Sequence, residues 1–375
     1  MNSDLEHEKL AALQLIRSEN IGVRTFFSLI EIFGNPINVL EKLPSFIKSR
    51  SGGKKIKICS KEKAQQEMED SQKYGAKIVY YKENIYPESL KQIHDFPPII
   101  TILGNKELLL SENKISIVGS RNSSINSSRF SYKIAKEFGE SGFSVVSGLA
   151  RGVDAQAHMG SIDSGTIGVI AGGIDNIYPL ENKKLYEYMR ERGLIISENA
   201  FGVVPQAKNF PQRNRIVSGL SKALVVVEAS LKSGSLITAN FALEQGREVF
   251  SVPGFPMDPR YSGTNALIKQ GAYLFERSDD VLNVLNERNI VQKDLLAYKC
   301  SNDIDKIGST EKISEKDLDK TKELILSKLS VMPTSLDDLI VGSGISRKEA
   351  LLCIVELELE DVVSKVGNHI SLVVN

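Results

Sequence analysis

Between Lys114 and His158 the chain alternates two apolar runs with one amphipathic stretch. Ile115–Val118 and Phe143–Val146 are short, rich in β-branched residues and followed by glycines, Gly119 and Gly148, the pattern of strands buried on both faces. Between them Phe130, Ile134, Ala135 and Phe138 recur at helical spacing, and Gly142 stands where a helix C-terminus favours glycine. The stretch predicts a βαβ unit. The same alternation continues through apolar runs at Thr166–Ile170, Leu194–Ser197, Ala223–Val227, Glu248–Ser251 and Ala272–Phe275, with helical stretches notably over Asn182–Arg192 and Ser235–Gln245. Ahead of it, a strand at Lys77–Tyr80 and the apolar Pro97–Leu103 lead into the core. Strands and helices alternating at these lengths predict a doubly wound, mostly parallel sheet, with the turns after the strands gathered on one edge.

The flanks read differently. From Leu10 to Leu43 apolar residues recur every three or four positions, interrupted at Ile21-Gly22 and Gly34-Asn35-Pro36, which predicts a small helical domain. Its Ile-Gly turn resembles helix-hairpin-helix modules, whose turn amides meet DNA phosphates; a plain accessory domain fits the same pattern. Ser51–Asp70 is rich in lysine and glutamate, as in a solvated connection or surface helix. Gln292–Lys320 is charged and polar. Helices near Thr321–Leu329 and Ser335–Val341, a third opened by a Ser346/Glu349 capping box, and runs at Val362–Val366 and Ile370–Val374 around Gly367-Asn368 then predict a winged helix. The expected architecture is α/β: a small helical (helix-hairpin-helix or SAM-like) domain over 1–70, a Rossmann-like domain over 75–288, a linker over 289–320 and a winged helix over 321–375.

Composition narrows the function. With 375 residues, 41% of them hydrophobic, the chain has material for a sizeable core, and its 47 basic residues balance 47 acidic ones. Without a global positive field, any polyanion must be met by a local patch. Cys59, Cys300 and Cys353 are far apart and the four histidines are scattered, so neither a zinc cage nor a disulfide framework is expected. The charged start MNSDLEHEKL and the absence of any apolar run near the roughly 18 residues of a membrane helix point to a cytoplasmic chain with no membrane partner.

The richest stretch for chemistry is Pro205–Leu220, read as a loop, which sets Lys208, Arg213 and Arg215 around Phe210 with Asn209 and Asn214. Cations neutralise phosphates and a ring offers bases a stacking face, a mixture suited to single-stranded nucleic acid. The same arginines would equally serve structural ion pairs, with Phe210 in the core. Arg121 follows Gly119-Ser120 at a strand-to-helix turn, where its guanidinium would fork onto a phosphate held by those backbone amides. The next turn adds Gly148, Arg151 and Gly152, and its Asp154 reads as a helix cap or an arginine-orienting group rather than a base. His158 reads as a packed histidine with no nucleophile partner. Neither GxGxxG nor a phosphate loop is present, so no nucleotide cofactor is expected.

Taken together, IVGSR (117–121), SGLARGVDAQAH (147–158), AGGID followed by YP (171–179), SEN (197–199), FPQRNRIVSGL (210–220), SGSLITA with ALEQGREV (233–249), VPG (252–254) and GTNALIKQGA (263–272) resemble the bacterial DNA-processing protein A (DprA/Smf) family over about residues 75–285. The resemblance implies a non-catalytic homodimer that binds single-stranded DNA without sequence preference and helps load the RecA recombinase during natural transformation. It places Gly119, Ser120, Arg121, Phe210, Arg213, Asn214 and Arg215 in the DNA pocket, with Lys208 as the nearest counterpart of a family lysine. Two other readings stand beside it. One is a nucleotide-processing enzyme, since Ser233–Glu244 loosely resembles the phosphate-binding helix start and carboxylate of phosphoribohydrolase-like proteins. The other is a winged-helix regulator, against which the acidic third helix argues, favouring a protein contact or an accessory DNA contact there.

Overall fold

The computed structural model describes residues 2–48, 57–287, 315–330, 332–359, 362–366 and 369–373. Most of the linker expected over 289–320 lies outside them. The chain opens with helices α1 (Asn2–Ile16), α2 (Val23–Phe33), α3 (Pro36–Lys48) and α4 (Lys61–Lys73). The α/β part follows as β1 (Lys77–Tyr80), α5 (Glu88–Lys91), β2 (Ile99–Gly104), α6 (Glu107–Leu110), β3 (Lys114–Val118), α7 (Ile125–Glu140), β4 (Ser144–Ser147), α8 (Val153–Ser161), β5 (Thr166–Ile170), α9 (Lys183–Arg192) and β6 (Leu194–Ser197). It continues through α10 (Asn209–Gly219), β7 (Ala223–Val226), α11 (Gly234–Glu244), β8 (Glu248–Ser251), α12 (Ser262–Lys269), β9 (Tyr273–Leu274) and a helix over 278–287, α13. The C-terminal elements are α14 (Glu315–Lys328), β10 (Thr334–Ser335), α15 (Leu336–Ser343), α16 (Arg347–Leu359), β11 (Val363–Val366) and β12 (His369–Leu372). Two compact units result, residues 66–302 and residues 1–65 with 303–375.

Among the described residues of the first unit, nine strands form one sheet in the order β1-β2-β6-β5-β4-β3-β7-β8-β9. From β6 to β9 every neighbour is parallel, while β1 pairs antiparallel with β2 and β2 with β6. The strands are apolar on both faces because both are covered. On β3, Ile115 and Ile117 join Ile134 and Phe138 of α7 and Val153 and Ala157 of α8, while Val118 joins Ile216 and Val217 of α10 and Ala239 of α11. From β3 the chain winds outward through β4, β5 and β6, then restarts on the other side with β7, β8 and β9. The loops after β3 and β7 therefore diverge, leaving a crevice at the carboxyl rim where such sheets bind ligands.

In the second unit, three antiparallel strands in the order β10-β12-β11 complete a winged helix with α14, α15 and α16. The predicted capping box at α16 is present: the Glu349 backbone N–H donates to Ser346 Oγ (3.2 Å) and the Ser346 N–H to Glu349 Oε2 (2.8 Å). One reading of the α/β part is corrected. Pro205–Leu220 is mostly not a loop, because Asn209–Gly219 is helical; Pro211 falls in the first turn, where a helix tolerates a residue without an N–H.

Candidate nucleic-acid interface

Helix α10 sorts its residues by rotation. At 3.6 residues per turn, Phe210, Arg213, Asn214 and Val217 share one face, and all four line a cavity of about 550 Å³ in the crevice. Much of the remaining wall comes from the turn after β3 (Gly119, Ser120, Arg121, Asn122), from Gly148 and from the start of α11 at Ser233–Ser235, and Arg260 adds a further cation. A second cavity of about 310 Å³ shares Arg121, Gly148, Phe210 and Arg213 and extends over Arg151, Tyr178 and Glu181.

Where the cavities meet, the exposed Arg121 lays its guanidinium over the Phe210 ring, 5.0 Å from the centroid, and Tyr178 approaches the same ring at 5.4 Å. Phe210 is half-buried and Tyr178 exposed, so a cation and two aromatic rings stand together at the mouth. A cation over a ring is attracted to its negative face and leaves its own edge free to meet anions.

Beneath them Arg213 is buried. It donates to the Val169 carbonyl and lies directly against Gly148, where an added Cβ would fall 2.3 Å from the guanidinium. Burial pulls Arg213 down to about 10, with Asp154 opposing that shift. Asp154 is also buried, and it holds the turn by accepting from the Gly148 and Ala150 N–H groups (3.1 and 3.4 Å). Burial pushes its carboxyl up, against the pull of Arg213 and those amides. Gly152 has φ +74°, and a Cβ there would meet the Ser120 carbonyl at 2.2 Å, so this crossing of the two turns requires glycine. His158 is fully buried, pairs Nδ1 with Thr166 Oγ1 (2.7 Å), and is pulled down to about 3 by burial and by Arg213.

Several sequence expectations are corrected here. Arg215 does not face the crevice: five positions after Phe210 it points to the other side of α10, 5% exposed. Its guanidinium grips Glu198 through both terminal nitrogens (2.8 and 2.6 Å) and Asp95 through Nε (3.1 Å). Burial disfavours its charge, but Glu198 and Asp95 outweigh that and hold it above the ordinary arginine value. Asn209 is buried and accepts the Gln206 N–H (2.8 Å), a turn-closing role. Lys208 is exposed just ahead of α10 and lines neither cavity. Ser120 does not offer its amide to a phosphate, because that N–H donates to the Glu228 carbonyl (2.7 Å). The Glu228 carboxylate, itself buried, takes the Ser124 N–H (3.0 Å) and so fills the anion position at the start of α7. Arg151 is exposed and pairs with Glu181 at 3.3 Å.

Sequence reasoning passed over Tyr178 and the start of α11 as parts of this interface. Tyr178 lies in the YP signal after AGGID, 32 positions ahead of the ring it meets, and only the sheet topology brings them together.

Comparison with known proteins follows the same divisions. The family model described as DNA recombination-mediator protein A matches residues 77–286, the DprA-like N-terminal HHH domain residues 6–69, and the DprA winged helix domain residues 310–368. The DNA processing protein DprA of Bacillus subtilis (strain 168) is 44% identical over 218 residues, 58% of this chain and 73% of that protein. The X-ray structure of DNA processing protein A from Streptococcus pneumoniae superposes with TM-score 0.61 at 29% identity, covering 76% of this chain and 97% of that one. DNA processing protein A from Helicobacter pylori, whose structure was described for its single-stranded DNA binding mode, superposes with TM-score 0.52 at 29% identity over 57% and 96% of the two chains. Among the described residues no helix is long and apolar enough to cross a membrane.

Proposed function

Since the chain belongs to the DNA recombination-mediator protein A family, we propose that it binds single-stranded DNA at the carboxyl rim of its sheet without reading sequence, and helps load the RecA recombinase onto that strand as a homodimer. The observation that carries this reading is the stack of Arg121 on Phe210 beside Tyr178 at the mouth of two joined cavities. Rings accept any base on their faces, and the guanidinium edge meets the phosphate beside it, a combination that tolerates every sequence. The Helicobacter pylori protein, described for its single-stranded DNA binding mode, supports the same reading.

The role is non-catalytic in this reading. The carboxylates at and around the site are already engaged: Asp154 holds its turn, Glu181 pairs with Arg151, Glu228 accepts the Ser124 N–H and Glu198 clamps Arg215. A phosphoribohydrolase-like arrangement would need Glu244 beside the start of α11, yet they stand at opposite ends of an 11-residue helix, about 15 Å apart.

Affinity of the full chain for oligo-dT and mixed-sequence single strands, against duplexes of the same length, tests the proposal. The single strands bind more tightly and nearly alike; a duplex bound as well would overturn it. In the same preparation, RecA nucleation on single-stranded DNA speeds up when the protein is added, and an unchanged rate would remove the mediator step.

A further inference from the structure

We propose that the winged helix uses its third helix, α16, as a docking surface for helix α2 of the N-terminal helical segment, so that α16 is not a groove-reading helix. The single-strand site is not involved in this contact.

The first observation is burial. Ala350 through Leu357, more than two full turns of α16, are all buried, and the run includes the carboxylate-bearing Glu356 at 4% exposure. A helix buried around its whole circumference needs cover on every side. The winged helix itself supplies α14, α15 and β11, and α2 supplies the rest. A recognition helix in a major groove needs the opposite arrangement, one long face open to base edges.

The second observation is a charge pattern that fixes how the two helices lie. Glu31, near the C-terminus of α2, accepts from Arg347 Nε at the start of α16 (2.9 Å). Arg24, near the N-terminus of α2, donates to the Lys365 carbonyl of β11 (2.6 Å), and its charge also reaches Glu358 near the end of α16. Arg24 and Glu31 are seven positions apart, hence on one face of α2, and they meet the far and near ends of α16 in reverse order. The helices therefore run antiparallel, and the basic residue that opens the third helix is committed to Glu31 and to Asp337 (3.1 Å) in place of phosphate. Between the two charged positions of α2 stand Phe27 and Ile30, both half-buried.

The chain thus joins its two ends into one composite domain, and a partner that required α16 would first have to displace α2. The test inserts a site-specific protease sequence after Gln292 in the full chain, cuts it, and follows the C-terminal fragment by size-exclusion chromatography at micromolar concentration. The fragment travels with the remainder. Glu31→Arg or Arg347→Glu loosens it about fivefold, the scale of partly exposed charge pairs, and the double swap restores it. In parallel, Arg347→Ala in the uncut chain leaves duplex DNA affinity unchanged. A wild-type fragment that elutes alone, co-elution indifferent to both reversals, or duplex affinity that falls with Arg347→Ala would each overturn the proposal.

Discussion

Arg213 and Arg215 stand two positions apart on one helix, and the protein uses them for different things. Arg213 underlies the crevice floor against Gly148; Arg215 is a structural clamp between Glu198 and Asp95. Removing one member of a buried ion pair strands the other, so Arg215→Ala should destabilise the protein by about 3 kcal/mol. Urea unfolding measures this, and an unchanged midpoint would refute the clamp. His158 gives a residue-level pH dependence. Its folded value lies near 3 against an ordinary 6.5, so as pH falls through that window the unfolded chain takes up a proton that the folded chain refuses. Stability should then drop with falling pH by up to about 1.4 kcal/mol per unit, and His158→Gln should flatten that slope. Gly152, whose positive φ is a local backbone need, was legible in the sequence as a turn glycine, and so was the place of Arg121 at a strand-to-helix turn; what demands glycine at 148 was not, since it is the guanidinium of the distant Arg213. Arg215 was not, because adjacency in the chain groups residues that a helix turns away from one another.

The strand-helix alternation announced itself because strands covered on both faces must be apolar throughout, and α7 shows the period of a helix with one buried face. Helix α10 was hidden by its own polar, proline-containing start, so its face of Phe210, Arg213 and Asn214 was legible only as a composition. The sequence also raised an anion at the start of the first crossover helix, and the protein supplies one internally: Glu228 accepts the Ser124 N–H at α7. Glu228→Ala should cost about 1–2 kcal/mol through the lost acceptor of the Ser124 N–H and leave an anion site behind. Melting temperature read with and without added sulfate checks it. The variant gains stability from sulfate beyond the wild-type response, and equal responses would show that the carboxylate does not stand in for an anion.

At the scale of the whole molecule, the order of parts could be read along the chain: helical segment, α/β sheet, winged helix. The joining of the two ends could not, since Glu31 and Arg347 are more than three hundred positions apart and neither belongs to a periodic signal. The candidate interface at the sheet rim has the same character, being assembled from the turns after β3, β4, β5 and β7 and from α10. Net charge gives the molecule no general pull on DNA, so the proposed binding of single strands rests on local cations such as Arg121 at that mouth. The most direct measurement is the salt dependence of oligo-dT affinity for the wild type, Arg121→Ala and Phe210→Ala. Loss of one phosphate contact should reduce the slope of log K against log salt by about 0.7 in Arg121→Ala. Loss of a stacking ring in Phe210→Ala should weaken binding by about 1–3 kcal/mol while leaving that slope unchanged. Three coincident lines would contradict the account.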